Sequence, residues 1–202
     1  DGEKVVGVVL TDPRVLPEGP EGSEEFGWPL ILAMTRGGKC LRFALGTHRT
    51  PSTRTGRKYV RLDNKVPGDG VIGVAVTVGD ENVCLATGAA RVSIFPVDEV
   101  NVLSGVGKGV QAIKLTAGDQ VLGFCLSTAA RQGLEVETTR GTRMVVRPTK
   151  YEVTKRGGRG RQMLKRDRLV SVIQPPVTPL TWGEITDSGS QRAVGVDVED
   201  EA

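Results

Sequence analysis

Residues 154–165 read Thr154-Lys155-Arg156-Gly157-Gly158-Arg159-Gly160-Arg161-Gln162-Met163-Leu164-Lys165, with bases and glycines interleaved. That combination suits the neutralisation of a polyanion. Guanidinium groups bind phosphate oxygens in pairs, and glycine lets the backbone approach a phosphate closely. The same glycines also suit a tight turn, and the sequence leaves both readings open. The bases belong to a wider pattern, since Arg36 to Lys65 holds nine bases and one acid and Arg147 to Arg168 nine bases and two acids. Acids are segregated elsewhere: residues 174–202 carry six acids and one base, and residues 11–27 five acids and one base. The net charge of +3 over 202 residues therefore hides a charge of +12 outside those two segments. A polyanion-binding surface is the functional reading; a solvated charged face is the plain one.

Catalytic chemistry has no comparable signature. Tyr59 follows Lys58 in a strand-like run and reads as packing, Tyr151 has no acid or base constellation around it, and His48 falls in a polar turn. No phosphate-binding loop of the ATPase type is present. Cys40, Cys84 and Cys125 lack Cys-x-x-Cys spacing, and one histidine cannot complete a zinc site with them, so they read as reduced core thiols. No metal site is expected. No apolar run approaches the ~20 residues that span a bilayer, and the start has neither a basic n-region nor a cleavage site, so a soluble, cytoplasmic protein without membrane contact is expected.

The elements that must position these bases repeat along the chain. Val5-Val6-Gly7 returns as Val71-Ile72-Gly73 and Val121-Leu122-Gly123; the last two lie 50 residues apart, and the longer first gap of 66 is explained by the acidic insertion at 11–27. A hairpin signal, Thr35-Arg36-Gly37-Gly38-Lys39, returns as Thr87-Gly88-Ala89-Ala90-Arg91 and Thr139-Arg140-Gly141-Thr142-Arg143, spaced 52 and 52 with a base in fifth place each time. Gly56-Arg57, Gly107-Lys108 and Gly158-Arg159 follow at 51 and 51. The 27 glycines, 11 prolines and 4% aromatics argue for short strands and turns over helices. The middle unit predicts strands at 71–78, 83–87, 91–95 and 110–115, with one helical turn near 97–103. Four strands in about 50 residues is the size of a propeller blade. The expected fold is all-β, a propeller-like array of four-stranded blades, with a domain over 1–173 (repeats about 1–67, 68–118 and 119–173) and a flexible acidic tail over 174–202.

Thr154-Lys155-Arg156-Gly157-Gly158-Arg159-Gly160 resembles the gyrase-A box, Gln-Arg-Arg-Gly-Gly-(Lys/Arg)-Gly, of the C-terminal DNA-wrapping domain of type IIA topoisomerase A subunits. Thr154 replaces the glutamine and Lys155 an arginine. Residues 108–123 and 50–57 also resemble the repeats of the gyrase A and topoisomerase IV A subunits. The resemblance implies a β-pinwheel whose basic rim binds and bends or wraps duplex DNA, supporting supercoiling or strand passage. Three repeats are visible where that family has five or six blades, and the box falls in the last repeat rather than the first, which leaves gyrase and topoisomerase IV both open. The start at Asp1 suggests a C-terminal piece of a longer subunit.

The residues assigned to DNA on these grounds are Lys155, Arg156, Gly157, Gly158, Arg159, Gly160, Arg161 and Lys165 of the box segment, with Arg36, Lys39, Arg54, Arg57, Lys58, Arg91, Lys108, Arg140 and Arg143 from the repeats. This chain carries no catalytic site. The intact protein implied is an ATP-dependent type II DNA topoisomerase using ATP and magnesium, nucleoid-associated and partnered by an ATPase (B) subunit through its N-terminal part. A propeller-like protein-interaction module, its basic rim recruiting an acidic partner, is the alternative.

Overall fold

Runs rich in Val, Ile and Leu, closed by Gly, Asp and Asn, fold here into short strands. The computed structural model describes residues 4–12, 14, 16, 18–19, 27–52, 56–64 and 66–174, so Arg54, most of the acidic insertion and the whole acidic tail beyond Gln174 lie outside it. The chain forms two units, residues 1–9 with 18–174 and residues 10–17 with 175–202. In the second, Arg14 pairs with Asp12 at 2.7 Å.

The first unit contains strands β1 Leu30–Thr35, β2 Lys39–Ala44, β3 Val71–Thr77, β4 Asn82–Thr87, β5 Arg91–Pro96, β6 Val102–Leu103, β7 Val110–Gln111, β8 Val121–Ser127, β9 Leu134–Thr138, β10 Arg143–Val146, β11 Arg161–Gln162 and β12 Leu169–Val172. Helix is confined, among the described residues, to 3₁₀ turns at Gly46–His48 and Val97–Glu99. The second is the turn expected near 97–103, and the all-β expectation is met.

Strand membership differs from the sequence expectation. One sheet runs β3-β1-β2-β6 with β7 also on β2, the next β11-β5-β4-β8, and the third β10-β9-β12. The middle repeat's first strand, β3, pairs with β1 of the preceding repeat, and β8 in turn pairs with β4. The outer strands cross over likewise, β7 to β2 and β11 to β5. Each of the first two sheets is thus a hairpin from one repeat completed on both edges by the next, while in the third, among the described residues, only the β9 edge is completed, by β12. The box, in the last repeat, therefore clothes the middle sheet.

The central strands are buried on both faces, which is why they read as continuous apolar runs rather than alternating ones. Leu32 and Met34 of β1 meet Val83 and Leu85 of β4 in one core, Cys84 and Ala86 meet Leu134 and Val136 in the next, and Ile31 and Ala33 face a third with Phe43. Glycines allow close packing against these strands: a Cβ on Gly123 of β8 would lie 2.6 Å from Val172 Cγ2 of β12, and one on Gly7, which lies outside any strand, 2.6 Å from Val74 Cγ2 of β3. The thiols expected in the core are free, with Cys40 and Cys84 fully buried. Burial pushes Cys40 up to about 12, so it stays protonated.

The three hairpin turns superpose in the hydrogen-bond pattern. Gly38 N–H donates to Thr35 O, Ala90 N–H to Thr87 O and Gly141 N–H to Thr138 O, and all three donors have positive φ. An aspartate braces each turn: Asp69 accepts from Gly37 N–H at 2.8 Å, Asp119 from Ala89 N–H at 2.8 Å, and Asp167 from the Thr139 hydroxyl. The third hairpin is therefore matched from Thr138, not Thr139. This corrects the expected spacing, because the position of Lys39 and Arg91 is taken by Thr142, while Arg143 stands where Cys40 and Val92 stand. A one-residue slip sends every side chain to the opposite face, and only the shifted register puts Leu134 and Val136 into the core.

Candidate nucleic-acid interface

Three outer elements, residues 56–61, 107–114 and 155–165, carry the bases. They are laid on one another by backbone hydrogen bonds: Arg61 N–H donates to Gly107 O at 2.8 Å, Gly157 N–H to Ala112 O at 2.8 Å, and Lys114 N–H to Gly158 O at 2.7 Å. Exposed at matched places along these elements are Arg57, Lys108 and Arg159. Lys58, Lys155, Arg161 and Lys165 are exposed on the same elements. Lys58, Arg61 and Lys108 line one shallow depression of about 930 Å³, and Lys155 and Arg161 another of about 340 Å³ beside Tyr151. An open basic surface of this kind can contact phosphates without enclosing a ligand.

Several assigned bases are engaged within the protein. Arg156 donates from Nε to the Glu99 carbonyl at 2.8 Å and from a terminal nitrogen to the Gln111 carbonyl at 3.3 Å, while its backbone N–H meets the Glu99 carboxylate at 2.9 Å. It clamps the box to the neighbouring outer element. Arg91 holds the box from the other side, reaching the carbonyls of Arg159 and Gly160 at 3.3 Å each. Lys39 forms an ion pair with Asp63 at 2.8 Å, and both side chains are largely covered. Arg57 donates to the Thr47 carbonyl at 2.6 Å yet stays exposed. Arg140, 76% exposed, lies 3.9 Å from Asp167. Arg36 and Arg143 are exposed on the hairpins rather than on the outer elements. Arg42, counted in the basic stretch, is buried with its guanidinium on the carbonyls of Val100 and Asp98.

The box glycines divide by role. Gly160 has φ +64° and a Cβ there would sit 2.7 Å from Val92 O, so this glycine serves the fold. Gly157 has φ +79° and makes the turn. Gly158 is exposed with open space on the Cα side, while its carbonyl accepts from Lys114 N–H.

Tyr59 stacks on Phe43 with ring centroids 4.7 Å apart, as packing predicts. His48 meets Phe43 edge-on at 5.3 Å, and burial together with the Arg57 charge holds its pKa below the ordinary histidine value. On the outer elements two exposed bases escaped the sequence assignment. Lys114 lies 51 residues before Lys165, the same interval that relates Lys108 to Arg159, so the repeat held the signal. Arg61 has no matching base and emerges only from its hydrogen bond to Gly107.

Comparison with known proteins bears out the resemblance. Residues 81–124 and 145–176 match the family described as the DNA gyrase C-terminal domain, beta-propeller. The fold is similar to the C-terminal domain of DNA topoisomerase IV, with 24% identity, a TM-score of 0.65, and coverage of 73% of this chain and 47% of that one. It is also similar to the E. coli ParC C-terminal domain, with 15% identity, a TM-score of 0.53, and coverage of 72% and 62%. The chain thus spans under half of the first structure and about three fifths of the second. No curated protein sequence matches it.

Proposed function

We propose that this chain is a noncatalytic module of a type IIA topoisomerase A subunit that binds duplex DNA along its outer elements and bends or wraps it. The observation that carries the reading is the recurrence of an exposed base, Arg57, Lys108 and Arg159, at one point of three successive outer elements that are bonded side by side. A curved path of phosphates following such a series releases counterions at each contact, and the gain offsets a bending cost of a few kcal/mol. Lys114, Lys155, Arg161 and Lys165 extend the same surface, and the open Cα side of Gly158 lets a phosphate approach. Arg156, Arg91 and Lys39 support it from within.

Supercoiling or strand passage would be the work of the intact subunit with its ATPase partner subunit on the chromosome. Among the described residues no three His, Cys, Asp or Glu side chains gather as a metal ion requires. Titration of a random-sequence duplex at several salt concentrations tests the proposal. Binding should be nearly indifferent to sequence, and each of Arg57, Lys108 and Arg159 replaced by alanine should flatten the log–log salt slope by about 0.9 per lost phosphate contact. A slope unchanged in the triple variant would refute the assignment. Failure of the parent chain to bind duplex at low salt would favour an acidic protein partner instead.

A further inference from the structure

Two of the three cysteines meet across the middle sheet. Cys84 of β4 stands directly opposite Cys125 of β8 in the antiparallel register, and both thiols are free. Residues so paired point to the same face of a sheet, and both pack in the core shared with Leu134 and Val136. Opposite Cα atoms of an antiparallel pair lie about 4.5 or 5.5 Å apart, depending on whether the two residues exchange backbone hydrogen bonds. Either value falls inside the span of about 4.4–6.8 Å that a disulfide bridges. The fold alone does not call for sulfur here. Three residues before the turn threonine of the first sheet, the equivalent pair is Leu32 with Ala75, an aliphatic contact. Cys40, the third thiol, packs in a different core and stands opposite Met34 and Val110.

The two facing thiols are not equivalent. Cys84 is fully buried, and Cys125 is only partly so. The Cys84 thiol donates a hydrogen bond to the Cys125 sulfur. That bond lowers the Cys125 pKa against the opposing effect of burial, whereas the bond and burial together raise that of Cys84. The more accessible sulfur is thus the more readily ionised, an arrangement that suits one cysteine to attack and its neighbour to resolve.

We propose that Cys84 and Cys125 form a reversible disulfide on exposure to a low-molecular-weight disulfide, a redox staple between the second and third repeats. The Cys125 thiolate attacks one sulfur of the small disulfide, whose S–S bond breaks and whose departing thiolate takes up the Cys125 proton. Cys84 then attacks Cys125 Sγ in the mixed disulfide, the second small thiol leaves with the Cys84 proton, and the Cys84–Cys125 bond is complete. Two protein thiols are oxidised, and one small disulfide is reduced to two thiols. Because β4 belongs to the hairpin of the second repeat and β8 begins the third, the bond closes a loop of about 40 residues across their junction. Constraining the unfolded chain in this way stabilises the folded array.

The full chain, reduced and then incubated without DNA in glutathione buffers of increasing oxidised fraction, tests this directly. Peptide mass mapping under non-reducing conditions should find Cys84 joined to Cys125, the thiol count after denaturation should fall from three to one, and dithiothreitol should restore it. The bridged chain should melt about 5–15 °C above the reduced one. Cys84→Ala should stop the reaction at a glutathione adduct on Cys125, Cys125→Ala should leave Cys84 unmodified, and Cys40→Ala should leave bridging unchanged. Absence of the Cys84–Cys125 peptide at every buffer ratio, a bridge through Cys40, or a bridged parent chain that melts no higher than the reduced one overturns the proposal. An adduct on Cys84 in the Cys125→Ala variant, with none on Cys125 in the Cys84→Ala variant, would overturn the assignment of Cys125 as the attacking thiol.

Discussion

Substituting alanine at two neighbouring glycines of the box separates fold from binding. At Gly160 the new methyl would lie 2.7 Å from Val92 O and 2.8 Å from Ile113 Cδ1, and φ is +64°. Left-handed backbone costs an L-residue about 1–2 kcal/mol, and the obstructing oxygen belongs to β5, whose ladder with β4 resists movement. With the clash added, Gly160→Ala should destabilise by about 2–4 kcal/mol, near the upper range for single substitutions. At about 2–4 °C per kcal/mol for a chain of this size, the melting temperature should drop by roughly 5–15 °C. At Gly158 a methyl meets nothing within 4 Å and φ is not left-handed, so Gly158→Ala should be neutral or stabilising by about 0.4–1 kcal/mol. The same methyl stands where a phosphate is proposed to approach, and should weaken duplex binding by about threefold to tenfold, under 1.4 kcal/mol. Calorimetry and fluorescence anisotropy on the two variants measure both effects. A Gly160→Ala protein that melts like the parent would refute the packing argument, and a Gly158→Ala protein with unchanged affinity would remove Gly158 from the contact surface.

Arg156→Ala should cost about 1–3 kcal/mol of stability, because it strips donors from the carbonyls of Glu99 and Gln111, while Arg159→Ala should leave the melting temperature unchanged and weaken duplex binding more; chemical denaturation beside DNA titration ranks the two. Glu81 is buried, which alone would raise its pKa, but hydrogen bonds from the Thr77 hydroxyl and the Val78 and Gly79 amides outweigh that and lower it. Its stabilisation is therefore complete above the ordinary carboxylate range and is lost as pH falls through the lowered value, so Glu81→Gln should be less stable at neutral pH and show a shallower acid limb in denaturation midpoints. Deleting residues 184–202 should tighten duplex binding, with the larger gain at low ionic strength, where the tail's charge is least screened; dissociation constants at two salt concentrations decide it.

The sequence by itself determined the repeat, the all-β class and the strand positions, because aliphatic runs punctuated by Gly, Asp and Asn are local signals that need no partner to be legible. It also placed the outer bases, since Arg57, Lys108 and Arg159 keep one spacing. Tertiary structure alone decided which strands share a sheet: hydrogen bonding between β3 and β1 or between β11 and β5 is non-local, and nothing within a 50-residue unit announces that its edges complete the preceding hairpin. It decided the register of the third hairpin too. Thr138 and Thr139 are indistinguishable as letters, and only burial of Leu134 and Val136 picks the first as the start of the turn. The division among the box arginines was hidden for the same reason. Arg156 and Arg159 are chemically identical, but one finds the carbonyls of Glu99 and Gln111 from a distant part of the chain and the other finds solvent.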